Sequence, residues 1–501
     1  MGRANCIELI ERAEGWLQAP AVLCRDTTFT YSDLLSASGR VAAALLDGAD
    51  DLAERRVAFL VPGSFEYVAV QWGAWRAGGI AVPLSVSATE PELDHVLSDA
   101  AVSVVITPPG LQHRIAPLCS RLGIRYLSVG DALEAGPATL PGVAADRRAM
   151  ILYTSGTTSK PKGVVTTHAN IAAQITSLVD AWGWRPDDRI PAFLPLHHVH
   201  GIVNVLGCAL WSGAAVETFE SFDVESILAR VAENAYTLFM AVPTIYVKLI
   251  QFLESTTPER RAAYVAGFRD MRLMISGSAA LPVSVHQKWT ELTGQILLER
   301  YGMTEIGMGI SNPLHDKRRP GAVGQALPGV AVRLVTESGD VIEGEDEPGE
   351  IQVRGPTVFT EYWNNPEATE QSFVDGWFRT GDMAVLEGGY YRILGRLSVD
   401  IIKSGGYKLS ALEIEDTLRQ HPAIKECAVV GVADDTWGEA VAAAAVIRDG
   451  MGLDIVELRN WASERLSKYK IPKILKVVPD FPRNAMGKVM KPAVRQLFRQ
   501  D

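Results

Sequence analysis

The 501-residue chain is 47% hydrophobic and carries a formal net charge of -11, from 48 basic and 59 acidic side chains. So much apolar material can fill more than one core, while the acidic balance argues against a nucleic-acid partner, which needs a basic face. The five cysteines (Cys6, Cys24, Cys119, Cys208, Cys427) are dispersed, with no C-x-x-C pair and no ligand spacing. They fit free thiols in a reducing compartment better than a disulfide framework or a zinc site. The opening residues put acidic side chains where a secretory signal has its apolar core. Position six is Cys6 rather than the Ser or Thr of a myristoylation start, and no stretch approaches a membrane span. A soluble cytoplasmic protein is expected.

Up to about residue 150 helical and strand patterns alternate. Tyr31–Leu46 repeats apolar residues at helical spacing, and Arg56–Val61 is a short apolar strand stopped by Pro62 and Gly63. Tyr67–Ala77 reads as helix and Gly78–Leu84 as strand, followed by a helix over Glu90–Asp99 and a strand over Val102–Thr107. This alternation predicts an α/β fold with parallel sheets covered on both faces.

The apolar run Ala149–Tyr153 leads into Thr154-Ser-Gly-Thr-Thr-Ser-Lys-Pro-Lys-Gly163, with Val164 and Val165 behind it. A strand–loop–strand hairpin of this composition gathers backbone N–H groups, hydroxyls and lysines around a polyanion, and its glycines let the backbone come close. It is not a Walker loop, because G-x-x-x-x-G-K-[ST] is absent and no long helix follows directly. Thr154, Ser155, Gly156, Thr157, Thr158 and Lys162 are the candidate triphosphate ligands.

Further on, Asn170–Trp182 reads as helix, and Phe193-Leu-Pro-Leu-His-His-Val-His-Gly201 groups three histidines. No carboxylate or cysteine completes a metal set nearby, and Pro195 breaks any single helical face. Tyr236–Val242 is a strand ended by Pro243, with a helix from Thr244. Met271–Ala280 is a strand running into a turn of small residues. Glu299-Arg-Tyr-Gly-Met-Thr-Glu305, Trp377-Phe-Arg-Thr-Gly-Asp382 and Gly395-Arg396 then appear in order. Gly405 and Gly406 form a turn into a helix capped by Ser410, with Glu413 placed for a capping box. Pro482–Lys491 closes the chain with Lys488 and Lys491, which taken alone read as solvated surface charge.

In this order, these motifs resemble those of the acyl-adenylate-forming superfamily, which includes acyl-CoA synthetases, peptide-synthetase adenylation domains and luciferases. The resemblance implies a large N-terminal domain of layered sheets and helices over residues 1–396 and a small mobile α+β C-terminal domain over 397–501. The hinge would lie in Arg396-Leu-Ser-Val-Asp400. Many relatives carry Asp or Lys where Ser398 stands, so Ser398 or a neighbour is the pivot.

The resemblance also implies ATP, Mg²⁺ and coenzyme A. Ser278 and Ala279 would let adenine lie flat, Glu299 would border the nucleotide, and Tyr301 would stack on the purine. Thr304 would donate to the α-phosphate. Glu305 would hold Mg²⁺, a hard cation that wants oxygen ligands. Asp382 would accept from the ribose hydroxyls, with Arg396 beside it, and Lys488 would neutralise the attacking carboxylate and the α-phosphate. His198 would line the carboxylate pocket, with His200 nearer the acyl end. Gly406, Tyr407 and Lys408 would border the pantetheine path, and Lys491 stays on the surface.

Arg300 stands where many relatives carry glycine. A guanidinium suits a second carboxylate rather than a fatty chain. With Arg300 in E-R-Y-G-M-T-E, the chain is most similar to malonyl-CoA synthetases. That likeness implies malonate or methylmalonate held by Arg300 with help from His200 and Ser276. A fatty or aryl acid ligase, or an adenylation enzyme loading a carrier protein, are the alternatives, and the protein is expected as a monomer or homodimer without nucleic-acid or membrane partners.

Overall fold

The computed structural model describes residues 6–24, 27–154, 161–404, 407–434, 436–483 and 489–498. The helix Tyr31–Leu46 shows how sequence sets these elements. Thr30 accepts from the Asp33 amide (3.2 Å) while the Asp33 carboxylate accepts from the Thr30 amide (2.8 Å), a reciprocal cap that satisfies two otherwise free donors. Tyr31, Leu34, Ser38, Val41, Ala42 and Leu45 then form the buried stripe, and Asp47 ends the helix in a left-handed turn with φ 49°. The next helix, Phe65–Arg76, is apolar all round and buried, and the Trp75 indole donates to the Ala149 carbonyl of a neighbouring strand (2.7 Å).

That strand belongs to a seven-stranded sheet in the spatial order Glu361–Tyr362, Lys162–Thr167, Arg148–Thr154, Ile80–Pro83, Arg56–Phe59, Val104–Thr107, Arg125–Ser128. Arg148–Thr154 and the four strands after it run parallel, and Lys162–Thr167 and Glu361–Tyr362 are antiparallel to their neighbours. Ile80–Pro83 and Val104–Thr107 are buried along their whole length, as strands covered on both faces must be. A second sheet runs Leu238–Ala241, Leu273–Ser276, Leu298–Met303 in parallel, then turns antiparallel through Gly307–Ser311 and Gln325–Ala326. In parallel sheets ligands bind beyond the carboxyl ends of the strands. Here those ends carry Ser276-Gly277-Ser278 and Tyr301–Glu305.

An antiparallel sheet built on Ala331–Val335, Gly349–Arg354, Trp377–Glu387 and Tyr390–Arg396 follows. After the turn over residues 397–400, a last sheet pairs Ile401–Ser404, Tyr407–Ser410, Gly438–Ile447, Ile424–Asp434 and Ile474–Val477. Its strands bury two faces of their own. Ile402, Ile414, Val429 and Leu458 lie on one side, and Val430, Ala442, Phe481 and Val494 on the other. The architecture is α/β, with a large N-terminal part and a smaller C-terminal one.

Two local expectations change. Ser410 caps its helix by accepting from the Glu413 amide (3.2 Å), yet the Glu413 carboxylate goes to Lys470 (2.5 Å) instead of completing the box. Lys491, expected on the surface, is buried, with Nζ 2.6 Å from Asp400 and 2.7 Å from Glu415. Two carboxylates that must themselves leave water draw the ammonium in with them, and spacing along the chain gives no sign of that. Lys491→Ala is expected to destabilise the fold by about 3–5 kcal/mol, the usual cost of stranding one side of a buried ion pair. Thermal unfolding checks it, and adding Asp400→Asn and Glu415→Gln should recover much of the loss.

Candidate active site

The strand Leu298–Met303 turns back sharply into Gly307–Ser311. A Cβ on Gly302 would lie 2.1 Å from the Gly307 carbonyl oxygen, so only glycine allows the two backbones this close. The turn sets Thr304 half-buried at its tip and folds Glu305 inward, where burial raises its pKa. The Glu305 carboxylate accepts from the Tyr362 hydroxyl (2.9 Å), and the ammonium of Lys162 stands 4.9 Å over the Tyr362 ring. Thr154 pairs opposite Lys162 at the base of the hydroxyl-rich hairpin. The base of the phosphate loop and the carboxylate expected to hold Mg²⁺ are therefore brought together, with Tyr362 between them. Ser155, Gly156, Thr157 and Thr158 lie outside the described residues.

Tyr301 points to a second group. Its hydroxyl donates to Asp382 (2.7 Å), and Arg396, paired opposite Asp382 in the antiparallel sheet, donates to the other carboxylate oxygen (3.1 Å). The Asp382 charge raises the Arg396 pKa. With its hydroxyl engaged, Tyr301 has its ring face to offer a purine. The Ser278–Ala280 turn is exposed, and Ser278 has φ 68°, a left-handed conformation that costs a non-glycine residue energy and recurs at functional sites.

Arg300 enters a third environment. It is 4% exposed, and its guanidinium lies so close to Gly277 that a Cβ there would be 2.5 Å from Cζ. Its one hydrogen bond is to the Ser278 hydroxyl (3.4 Å), Nε is buried without a partner, and no carboxylate pairs with it among the described residues. Burial alone pushes its pKa down to about 9. The same Ser278 oxygen lies 3.0 Å from His200 Nδ1. A guanidinium can only donate, so Ser278 accepts from Arg300, and its hydroxyl also meets Nδ1, in a direction set by the His200 tautomer. The other ring nitrogen, Nε2, is buried and has no partner among the described residues. Burial, then the Arg300 charge, holds the His200 pKa well below its usual value. The Ser276 hydroxyl is also buried and unpartnered. His198, against His197 at 4.1 Å between rings, has a pKa lowered to about 3 by burial and then by that neighbour, so it is neutral too.

Other expected residues stand apart. The Glu299 carboxylate accepts from the Gly321 amide (2.9 Å) and braces that loop. Tyr407 is exposed and stacks on Tyr469 (4.6 Å between rings), while Lys408 pairs with Glu337 (2.9 Å) at the outer end of a hairpin, away from the cleft. Gly406 and Lys488 lie outside the described residues. Among the described residues no group of three or more His, Cys, Asp or Glu side chains could hold a metal ion. Tyr362 and Gly277 were not singled out by the sequence, although Gly277 sits within the expected small-residue turn.

These clusters gather at the strand ends of an α/β fold, beside a buried cationic pocket. The family described as AMP-binding enzyme matches residues 9–363, and the AMP-binding enzyme C-terminal domain matches residues 413–488. The chain belongs to the AMP-binding enzyme family. The Homo sapiens protein named malonate–CoA ligase ACSF3, mitochondrial, is 44% identical over 94% of this chain and 88% of its own length. A malonate–CoA ligase of Arabidopsis thaliana is 38% identical over 95% of this chain and 86% of its own. The crystal structure of ATP-bound MatB from Rhodopseudomonas palustris matches with a TM-score of 0.90 at 35% identity, over 99% of both chains. Among the described residues no helix is long and apolar enough to cross a membrane.

Burial, with Asp416 adding repulsion, raises the Glu299 pKa to about 8 from 4.5. The folded state then holds a proton that the unfolded chain has released, so this contribution to stability is full below pH 4.5 and is lost as pH rises through 8. Glu299→Gln keeps the acceptor for Gly321 and cannot ionise. Its melting temperature should match wild type under acid conditions and exceed it increasingly toward alkaline pH, read by thermal unfolding across that range.

Proposed function

We propose that the chain is an AMP-forming acid–thiol ligase that activates a small dicarboxylic acid, malonate or methylmalonate, and passes the acyl group to coenzyme A. The observation that carries the acid's identity is the buried Arg300 guanidinium with no carboxylate partner among the described residues. A substrate bearing a second carboxylate supplies that partner, and the relatives named as malonate–CoA ligases support the same reading.

In the first step one carboxylate oxygen attacks the α-phosphorus of ATP, the bond to the β,γ-phosphates breaks, and pyrophosphate leaves an acyl-adenylate. Thr154 through Lys162 would hold the triphosphate, Ser278, Ala279 and Tyr301 the purine, and Asp382 with Arg396 the ribose. Thr304 and Lys488 would face the charge that develops at phosphorus, so catalysis rests on positioning and electrostatics. Neutral His198 would line the carboxylate's path. Mg²⁺ fits a place with one protein carboxylate, because it keeps waters and takes phosphate oxygens as its other ligands. Glu305, oriented by Tyr362, would be that ligand, and the bound ion would offset charge on the phosphates.

In the second step the CoA sulfur attacks the acyl carbonyl and AMP leaves. Lys408 and Lys403 now pair with Glu337. Rotation about residues 396–400 would release those pairs, withdraw Lys488, and carry Tyr407 and Lys408 with the Gly405-Gly406 turn to the pantetheine path, one cleft serving two conformations.

ATP–pyrophosphate exchange with malonate, methylmalonate, acetate and octanoate tests the assignment, with the diacids expected to lead. Arg300→Ala should lose about 2–5 kcal/mol of transition-state binding for malonate and little for acetate. A variant that uses malonate as well as wild type does contradicts the reading. Transfer to free CoA, rather than only to a holo-carrier protein, checks the acceptor.

A further inference from the structure

Residues His200–Gly207 are wound as a π-helix, a rare geometry that recurs at functional sites. All eight residues are buried, and only His200 and Asn204 have polar side chains. Asn204 is 0% exposed, and neither its Oδ1 nor its Nδ2 has a hydrogen-bond partner. Its direction follows from the winding. In an i→i+5 helix four residues make slightly less than one turn, so Asn204 shares a face with His200. Ile202 and Leu206 turn the opposite way, into an apolar seam with Trp72, Ile171 and Ile175. The His200 face looks toward Ser278 and Arg300. The unpartnered amide is therefore on the same face as His200, whose ring meets the Ser278 hydroxyl that Arg300 also reaches, and one turn further along the helix.

An amide buried with its polar groups unsatisfied is costly to the fold, whereas leucine would pack there without that cost. A ligand that completes the amide accounts for its presence. Resting on the dicarboxylate reading above, we propose that Asn204 is a specificity-determining residue, whose Nδ2–H donates to the distal carboxylate of the acid held by Arg300. The geometry gives that carboxylate the forked N–H groups of Arg300 on one side and Asn204 Nδ2–H on another, with the unpartnered His200 Nε2 beside it. A carboxylate has lone pairs enough for all of them. Asn204 thus senses a group that a monocarboxylic acid lacks, and a site built to hydrogen-bond one substrate rejects an analogue that leaves its donors unpaired.

The test compares wild type, Asn204→Leu, Asn204→Asp and Arg300→Ala by ATP–pyrophosphate exchange with malonate and acetate. A parallel measurement follows the rise in melting temperature that malonate produces in the presence of a non-hydrolysable ATP analogue. Asn204→Leu should lower kcat/KM for malonate by about 10- to 100-fold, the usual worth of a hydrogen bond to a charged group, mainly through KM. Its acetate turnover should not fall, its KM for ATP should be unchanged, its own melting temperature should not fall, and the malonate-induced rise should disappear. Asn204→Asp, nearly the same shape, places a negative charge against the distal carboxylate and should lose malonate at least as far. Loss of malonate and acetate in equal proportion by both Asn204 variants would mean a packing role and overturn the proposal, as would an undiminished malonate-induced rise. If Arg300→Ala loses malonate selectively and the Asn204 variants do not, the assignment of Asn204 alone fails. If Arg300→Ala also leaves the malonate-to-acetate ratio unchanged, the dicarboxylate reading fails with it.

Discussion

The Arg300 guanidinium lies against Gly277 and under Ser278, out of water and without a carboxylate from the described chain to face it. Guanidinium groups keep their proton in proteins, so the fold carries the cost of desolvating a charge, several kcal/mol after relaxation. Local features serve to keep it there. Glycine at 277 leaves room for the planar group, Ser278 adopts a left-handed backbone to bring its hydroxyl across, and His200 stays neutral so that no second cation competes. Each is unfavourable or restrictive alone, and together they make sense when an anion arrives from outside.

The same strand end carries the rest of the chemistry. Arg300 reaches Ser278, Tyr301 reaches Asp382, and the turn beyond presents Thr304 and Glu305. The point that would hold one end of a diacid and the point that would hold the phosphate under attack are four residues apart on one backbone segment. Their separation is set by covalent geometry and a glycine-tight turn rather than by flexible loops. Binding energy from the distal carboxylate can then be used to align the reacting one, the sense in which remote contacts raise a rate.

Much of this was legible in the residues. The strands on either side of the Thr154 hairpin, the motif from Glu299 to Glu305 and the Asp382–Arg396 pair are local patterns, and the fold keeps the described residues of each close together. What was not legible depends on distant segments. Tyr362 reaches Glu305 because a two-residue strand pairs with Lys162–Thr167, and nothing around Tyr362 announces that pairing. Lys491 becomes an interior cation only because Asp400 and Glu415 converge on it. Glu299 looked like part of the nucleotide motif, but its side chain leaves the strand toward Gly321. That Arg300 meets no carboxylate among the described residues also depends on distant segments, since any acidic residue could have met it. The π-helix from His200 to Gly207 is not singled out by its residue types.

The most direct measurement is a crystal structure with malonate and a non-hydrolysable ATP analogue bound together. One malonate carboxylate should face the α-phosphate near Thr304, and the other should lie within hydrogen-bond distance of the Arg300 guanidinium. Malonate seated with both carboxylates away from Arg300, or Arg300 turned to pair with a carboxylate of the protein, would contradict the account.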